Sequence, residues 1–172
     1  MGANERLLNA CFIIGSRLYM KSGSKKFKKG FAMEKEIRIL PMSMDEFEDK
    51  SIEELQEWFI EELKNVRKGL YRYRTSGLKT STGSLILFQY RSKIIASAIF
   101  LNSERYEKAY IESKTKYNGF FEFDPNSITV FKPISNDEFN RIHEVKFNHV
   151  KYKIPYNKLQ DILTLVEAKK KA

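Results

Sequence analysis

The chain has 172 residues, 42% hydrophobic and 13% aromatic, which suits one domain with a sizeable core. Its formal net charge of +9 favours an anionic partner such as nucleic acid over an acidic small metabolite. A single cysteine, Cys11, excludes an intrachain disulfide and a cysteine-cluster zinc site, and His143 and His149 are too few for a histidine-rich metal site.

No run reaches the roughly 20 apolar residues that span a bilayer, so the expected setting is a soluble protein in a reducing cytoplasm, with no cofactor. Residues 5 to 20 place Leu7, Leu8, Cys11, Phe12, Ile14 and Leu18 at helical spacing, while "CFIIG" fits a buried strand equally well. "KSGSKKFKKG" then reads as an exposed connection or a basic arm. The expected organisation is an accessory segment over residues 1–32 and one folded domain over 33–172.

"KEIRILPM" alternates Ile37 and Ile39 against Arg38 and stops at Pro41, which predicts a strand. Ser51 and Glu54 form a capping-box signature, and Ile52, Leu55, Phe59, Leu63 and Val66 recur at helical spacing with Trp58 beside them. Gly69 ends this helix. Its glutamates lie toward the start, and Lys64, Arg67 and Lys68 lie at the end, an order that the helix dipole favours without any function.

Beyond Gly69 the period becomes that of strands. "LYRYR" puts Tyr71 and Tyr73 on one side and Arg72 and Arg74 on the other. "SLILFQY" and "KIIASAIFL" flank a short "RS" connection and predict a hairpin. "YNGFFEFDPNSITVFKPI" adds strands around the turn "DPNS", and "NDEFNRIHE" is a short helix. "HEVKFNHVKYKI" alternates as a further strand, and "YNKLQDILTLVEAKKK" predicts a final helix with Leu159, Ile162, Leu163 and Val166 inward. The total is an α+β chain with five or six strands.

Signatures of phosphate-cradling loops, dinucleotide sites, zinc proteases and hydrolase elbows are absent. Glu112 and Lys114 in "IESKTK" could share a strand face as in a metal-dependent nuclease, but no upstream aspartate stands on a strand to complete the set. His143 and His149, six apart, have no carboxylate in register.

The charge pattern is more informative. Residues 64 to 103 hold eight basic side chains and no acid, whereas residues 45 to 63 hold nine acids and only Lys50. Within the basic stretch lie Arg72, Arg74, Lys79, Arg91 and Lys93 to neutralise phosphates, and Tyr71, Tyr73 and Tyr90 to stack bases. Thr75, Ser76, Thr80, Ser81 and Gln89 could read base edges. The plain alternative is that the tyrosines fill a core while the arginines solvate the outer face of a strand.

"GSLILFQYRSKIIASAIF" resembles the signature hairpin of the PUA-like superfamily, which includes EVE, ASCH and SRA domains, and "FEFDPNSITVFKPISNDEF" is similar to the strand and short helix that close an EVE-like barrel. The resemblance covers roughly residues 69 to 140. It implies a small, partly open mixed β-barrel flanked by helices that binds nucleic acid, in several members by holding a modified or flipped base. Such modules often serve as the specificity part of modification-dependent restriction systems, beside a nuclease or motor subunit or domain.

The expected function is therefore DNA binding, with Arg72, Arg74, Lys79, Arg91 and Lys93 on phosphates. Tyr73 and Tyr90 would enclose a base whose edge Gln89 reads. The alternatives are an RNA-binding PUA-like protein, a small nuclease using Glu112 and Lys114, and a protein-interaction domain docking through the acidic helix.

Overall fold

Ile37, Ile39 and Leu40 bury the first strand, β1 (Ile37–Pro41), which runs parallel to β3 (Leu85–Tyr90) with Ile37 opposite Leu85. β3 is a continuous apolar run because both of its faces are covered. Ile86, Phe88 and Tyr90 enter one core, and Leu85 and Leu87 enter a second core on the opposite face. The computed structural model that shows this describes residues 34–47, 49–148 and 151–170. The expectations for residues 1–32, Cys11 and His149 lie outside the described residues.

After a short helix, α1 (Met44–Phe47), Ser51 caps α2 (Ile52–Trp58) through the reciprocal bonds foreseen with Glu54. α2 continues as a π-helical segment over Phe59–Val66. A π turn takes more residues than an α turn, so the apolar stripe drifts. Leu55, Phe59 and Leu63 stay buried, but Val66, expected inward, is 67% exposed. Gln56 is buried among them and donates from Nε2 to the carbonyls of Ile95 and Phe131.

β4 (Lys93–Glu112) has 20 residues and serves two neighbourhoods. Its first half lies between β3 and β6 (Thr129–Ser135), and its second half pairs with β5 (Thr115–Phe123), which in turn pairs with β2 (Leu70–Tyr73). With β7 (Lys153–Ile154) beside β1, the order is β2-β5-β4-β3-β1-β7, and β6 joins at β4. The fold is therefore mixed α+β around a seven-stranded open sheet. This is compatible with a small open barrel but is not a closed one. No helix among the described residues is long and apolar enough to cross a membrane.

The "HEVKF" segment, expected as a strand, is not one. Asn136 and Asn140, from the short helix α3 (Asn136–Asn140), accept from the backbone N–H groups of Phe147 and Val145, and Asn136 donates to the Val145 carbonyl. Side-chain amides thus satisfy the backbone groups that a ladder would otherwise have used. The last helix, α4 (Leu159–Lys169), buries Leu159, Ile162, Leu163 and Val166 as expected.

α3 and α4 are tied by an ion pair between Glu138 and Lys169. That contact, with the capping bond to Ser135, holds the Glu138 carboxyl down at about 2. A carboxyl with a depressed native pKa stabilises the fold above its unfolded value near 4.5, and this contribution is lost as pH falls toward about 2. Urea midpoints are expected to drop between about pH 5 and about pH 3 in the parent, and to drop less in Glu138→Gln. Parallel curves for the two proteins would refute this role.

Candidate nucleic-acid interface

β2 begins where Gly69 turns the chain out of the helix at φ +86°. A Cβ there would stand 2.0 Å from the Phe123 carbonyl oxygen, so only glycine lets β2 lie against β5. Strand alternation sets Tyr71 and Tyr73 on one side, as foreseen, and that side packs onto Phe121 at ring distances of 6.2 and 4.8 Å. Tyr73 lies across Gly119 on the neighbouring strand and donates its hydroxyl to the Glu104 carbonyl at 3.2 Å.

These rings form the floor of a cleft of about 520 Å3. One wall is the end of β1 with Asp45 and Glu46 of α1. The other walls are the loop from Arg74 to Ser76, the β4–β5 turn from Lys114 to Lys116, and Lys151. Asn118 holds the loop by donating to the Arg74 carbonyl. Lys151 holds it from the opposite side by donating Nζ to the carbonyl and hydroxyl of Ser76 at 2.7 and 2.9 Å.

The rim is cationic. Arg74, Lys114 and Lys116 are exposed. Arg72 is less available than its position suggested, because its guanidinium pairs with Glu112 at 3.1 Å and stacks on Tyr110 at 4.6 Å. Burial, with a smaller effect of Arg38, holds the Lys151 ammonium below the ordinary lysine value. Inside the cleft, burial raises the Glu46 carboxyl, against the opposing effects of its bond from the Tyr117 hydroxyl (3.2 Å) and the charges of Arg74 and Arg67. Burial and the neighbouring Glu46 raise the Tyr117 phenol in turn.

Of the residues proposed from sequence, Arg72, Tyr73 and Arg74 line this cleft. Lys79 and Lys93 are exposed but line neither cleft described here. Tyr90 lines neither cleft and donates its hydroxyl to the Phe47 and Lys50 carbonyls, so it is a core residue and offers no face to a base. Gln89 precedes it and points to the opposite face of β3, so the two cannot clasp one base. Gln89 and Arg91 instead line a smaller cleft of about 230 Å3.

Sequence reading missed Glu46, Tyr117, Phe121, Lys116 and Lys151. The alternation of Tyr117, Gly119 and Phe121 could have revealed part of this set, since a glycine between inward aromatics marks a close approach.

The nuclease pair does not form as expected. Lys114 is in the turn at φ +69°, off the strand that ends at Glu112, and Glu112 is engaged by Arg72. His143 follows α3. Among the described residues, no three His, Cys, Asp or Glu side chains gather as a metal site would need.

The chain matches no family model and no curated protein at a significant level. Among solved structures it is similar to the YTH domain of the Zygosaccharomyces rouxii MRB1 protein, solved in complex with N6-methyladenosine RNA. Identity is 13%, the match covers 83% of this chain and 94% of that chain, and the TM-score is 0.47. Neither a family nor a ligand passes to this chain from a likeness at that level.

Proposed function

We propose that this chain is a nucleic-acid-binding module that takes one unstacked base into the larger cleft. The observation behind this reading is the coincidence of a floor of Tyr71, Tyr73 and Phe121 with the rim cations Arg74, Lys114, Lys116 and Lys151, beside the carboxylates of Asp45 and Glu46. Aromatic contact with a base contributes about 1–3 kcal/mol, and rim cations on phosphates supply affinity that falls with salt. A carboxylate accepts from an exocyclic amino group, as an acidic side chain does from cytosine N4. The volume is within the range of about 300–1,000 Å3 usual for small-ligand sites.

The polymer we favour is DNA carrying a modified or flipped base, on the resemblance of the β3–β4 hairpin to PUA-like modules. In that role the chain would direct a nuclease or motor partner in a modification-dependent restriction system. The test is fluorescence anisotropy on one sequence as plain DNA, with 5-methylcytosine, with N6-methyladenine, and as RNA, each at two salt concentrations.

One modified DNA form is expected to bind most tightly. Replacing Arg74 and Lys116 together by alanine should lower the salt slope by about 1 for each phosphate that the two side chains neutralise, and Tyr73→Ala should abolish preference among the forms. Unchanged slopes would refute the rim. Preference for the RNA form would move the reading to RNA, and absence of binding at low salt would overturn it.

A further inference from the structure

The smaller cleft has a feature that the fold does not explain. Gln89 is only 5% exposed, and its Oε1 is buried with no hydrogen-bond partner among the described residues. A leucine of similar shape would cost the fold less, because a buried acceptor left unpaired forfeits its hydration for nothing. The backbone that carries it is held at an irregular point of the sheet. A register shift between Phe88 and Gln89 interrupts the β3–β4 ladder, and the Met42 N–H donates to the Gln89 carbonyl at 2.9 Å.

The cleft is lined by Pro41, Met42 and Phe147 on its apolar side, and by Gln89, Arg91 and Asn148 on its polar side. At about 230 Å3 it is smaller than sites for drug-sized ligands and has room for one planar ring. Pro41 also lines the larger cleft, so the two adjoin.

We infer that this smaller cleft is a second subsite, which takes the base next to the one held in the larger cleft and selects a base bearing an exocyclic amino group. This inference rests on the proposed function. Gln89 Oε1 can only accept, so once the carboxamide turns its oxygen to the cleft it pairs with an N–H donor such as the amino group of adenine, cytosine or guanine. Unsubstituted purine has no N–H donor on its edge and leaves the acceptor unpaired, whereas thymine and uracil offer only the ring N3–H, set back from where an exocyclic amino group projects. Met42 and Phe147 pack against the ring. Arg91, at φ +46° in the β3–β4 turn and stacked on Tyr90 at 5.2 Å, is placed for the adjoining phosphate.

The experiment holds the preferred central base constant and varies each flanking base between adenine and unsubstituted purine, which differ only in the amino group. It is run with the parent, Gln89→Leu and Tyr73→Ala proteins. The parent is expected to bind the adenine-flanked form about tenfold more tightly on one side. Gln89→Leu should bind both forms at the purine level, with a melting temperature no lower than the parent's.

Equal parent affinity for both flanks, with preference for the central base still abolished in Tyr73→Ala, would overturn the subsite and leave the larger cleft standing. A central-base preference that survives Tyr73→Ala would remove the larger-cleft reading and the subsite with it. The purine substitution deletes the donor from the ligand, so this comparison holds even if the leucine variant fails to fold.

Discussion

Gln56→Leu is expected to lower the stability of the fold by about 2–4 kcal/mol, although it replaces a buried polar side chain by an apolar one of similar size. Gln56 Nε2 donates to the Ile95 carbonyl at 2.8 Å and to the Phe131 carbonyl at 2.6 Å. Ile95 has no cross-strand partner in either ladder of β4, because the registers with β3 and with β6 both shift there, and Phe131 falls in the gap of the β6 register. Ile95 thus lies where the sheet does not pair residues, Phe131 has only an isolated bridge with Lys170 beside the gap, and the helix donates to both carbonyls. Leucine would strand two buried acceptors at about 1–3 kcal/mol each, less whatever relaxation recovers.

For a domain of this size the melting temperature should fall by roughly 5–15 °C. Gln56→Glu should be at least as damaging at neutral pH, since a carboxylate donates to neither carbonyl. A leucine variant melting within about 1 °C of the parent would show that the carbonyls find other partners. The effect should extend to the cleft, because α2 packs Trp58 edge-on against Tyr71 at 6.2 Å.

What sequence could and could not reveal divides along physical lines. Elements fixed by local chemistry were legible. Ser51 and Glu54 predict the cap that forms, the inward tyrosines of β2 follow from alternation, and "RS" is the two-residue turn with both φ values positive that such a hairpin needs. Features set by tertiary competition were not. Val66 is turned outward by a π segment, and "HEVKF" is drawn out of the sheet by two asparagines remote in pattern though near in sequence.

The same division runs through the site. Tyr73 and Arg74 reach the cleft from β2 and the loop directly after it, so local alternation already sets them side by side. Tyr90 was misassigned because aromatic residues at strand ends serve cores and surfaces alike, and only its bonds to Phe47 and Lys50 decide between them. Lys151 and Glu46 reach the cleft from segments far along the chain, and no local pattern announces such convergence.

Gly119→Ala is expected to cost about 3 kcal/mol and to disable the larger cleft together with the fold around it. A Cβ at this position would stand 2.2 Å from the Glu104 carbonyl oxygen and 2.3 Å from the Tyr73 hydroxyl, so backbone and floor ring must both move. Overpacking of this kind typically costs about 1–3 kcal/mol, and here one of the two obstacles is backbone, which cannot rotate aside. Relief by separating β5 from β4 would open the hairpin that carries Lys114 and Lys116. Relief by swinging Tyr73 outward would break its bond to Glu104 and leave Phe121 without the ring that covers it.

A double-mutant cycle separates these routes. If the clash with the ring dominates, Tyr73→Ala should recover part of the stability that Gly119→Ala removes, giving a coupling of about 1 kcal/mol or more in urea unfolding. Strict additivity would place the whole cost at the backbone contact. A stable Gly119→Ala protein with unchanged binding would show that the ring has room to shift and that Gly119 does not set the cleft floor.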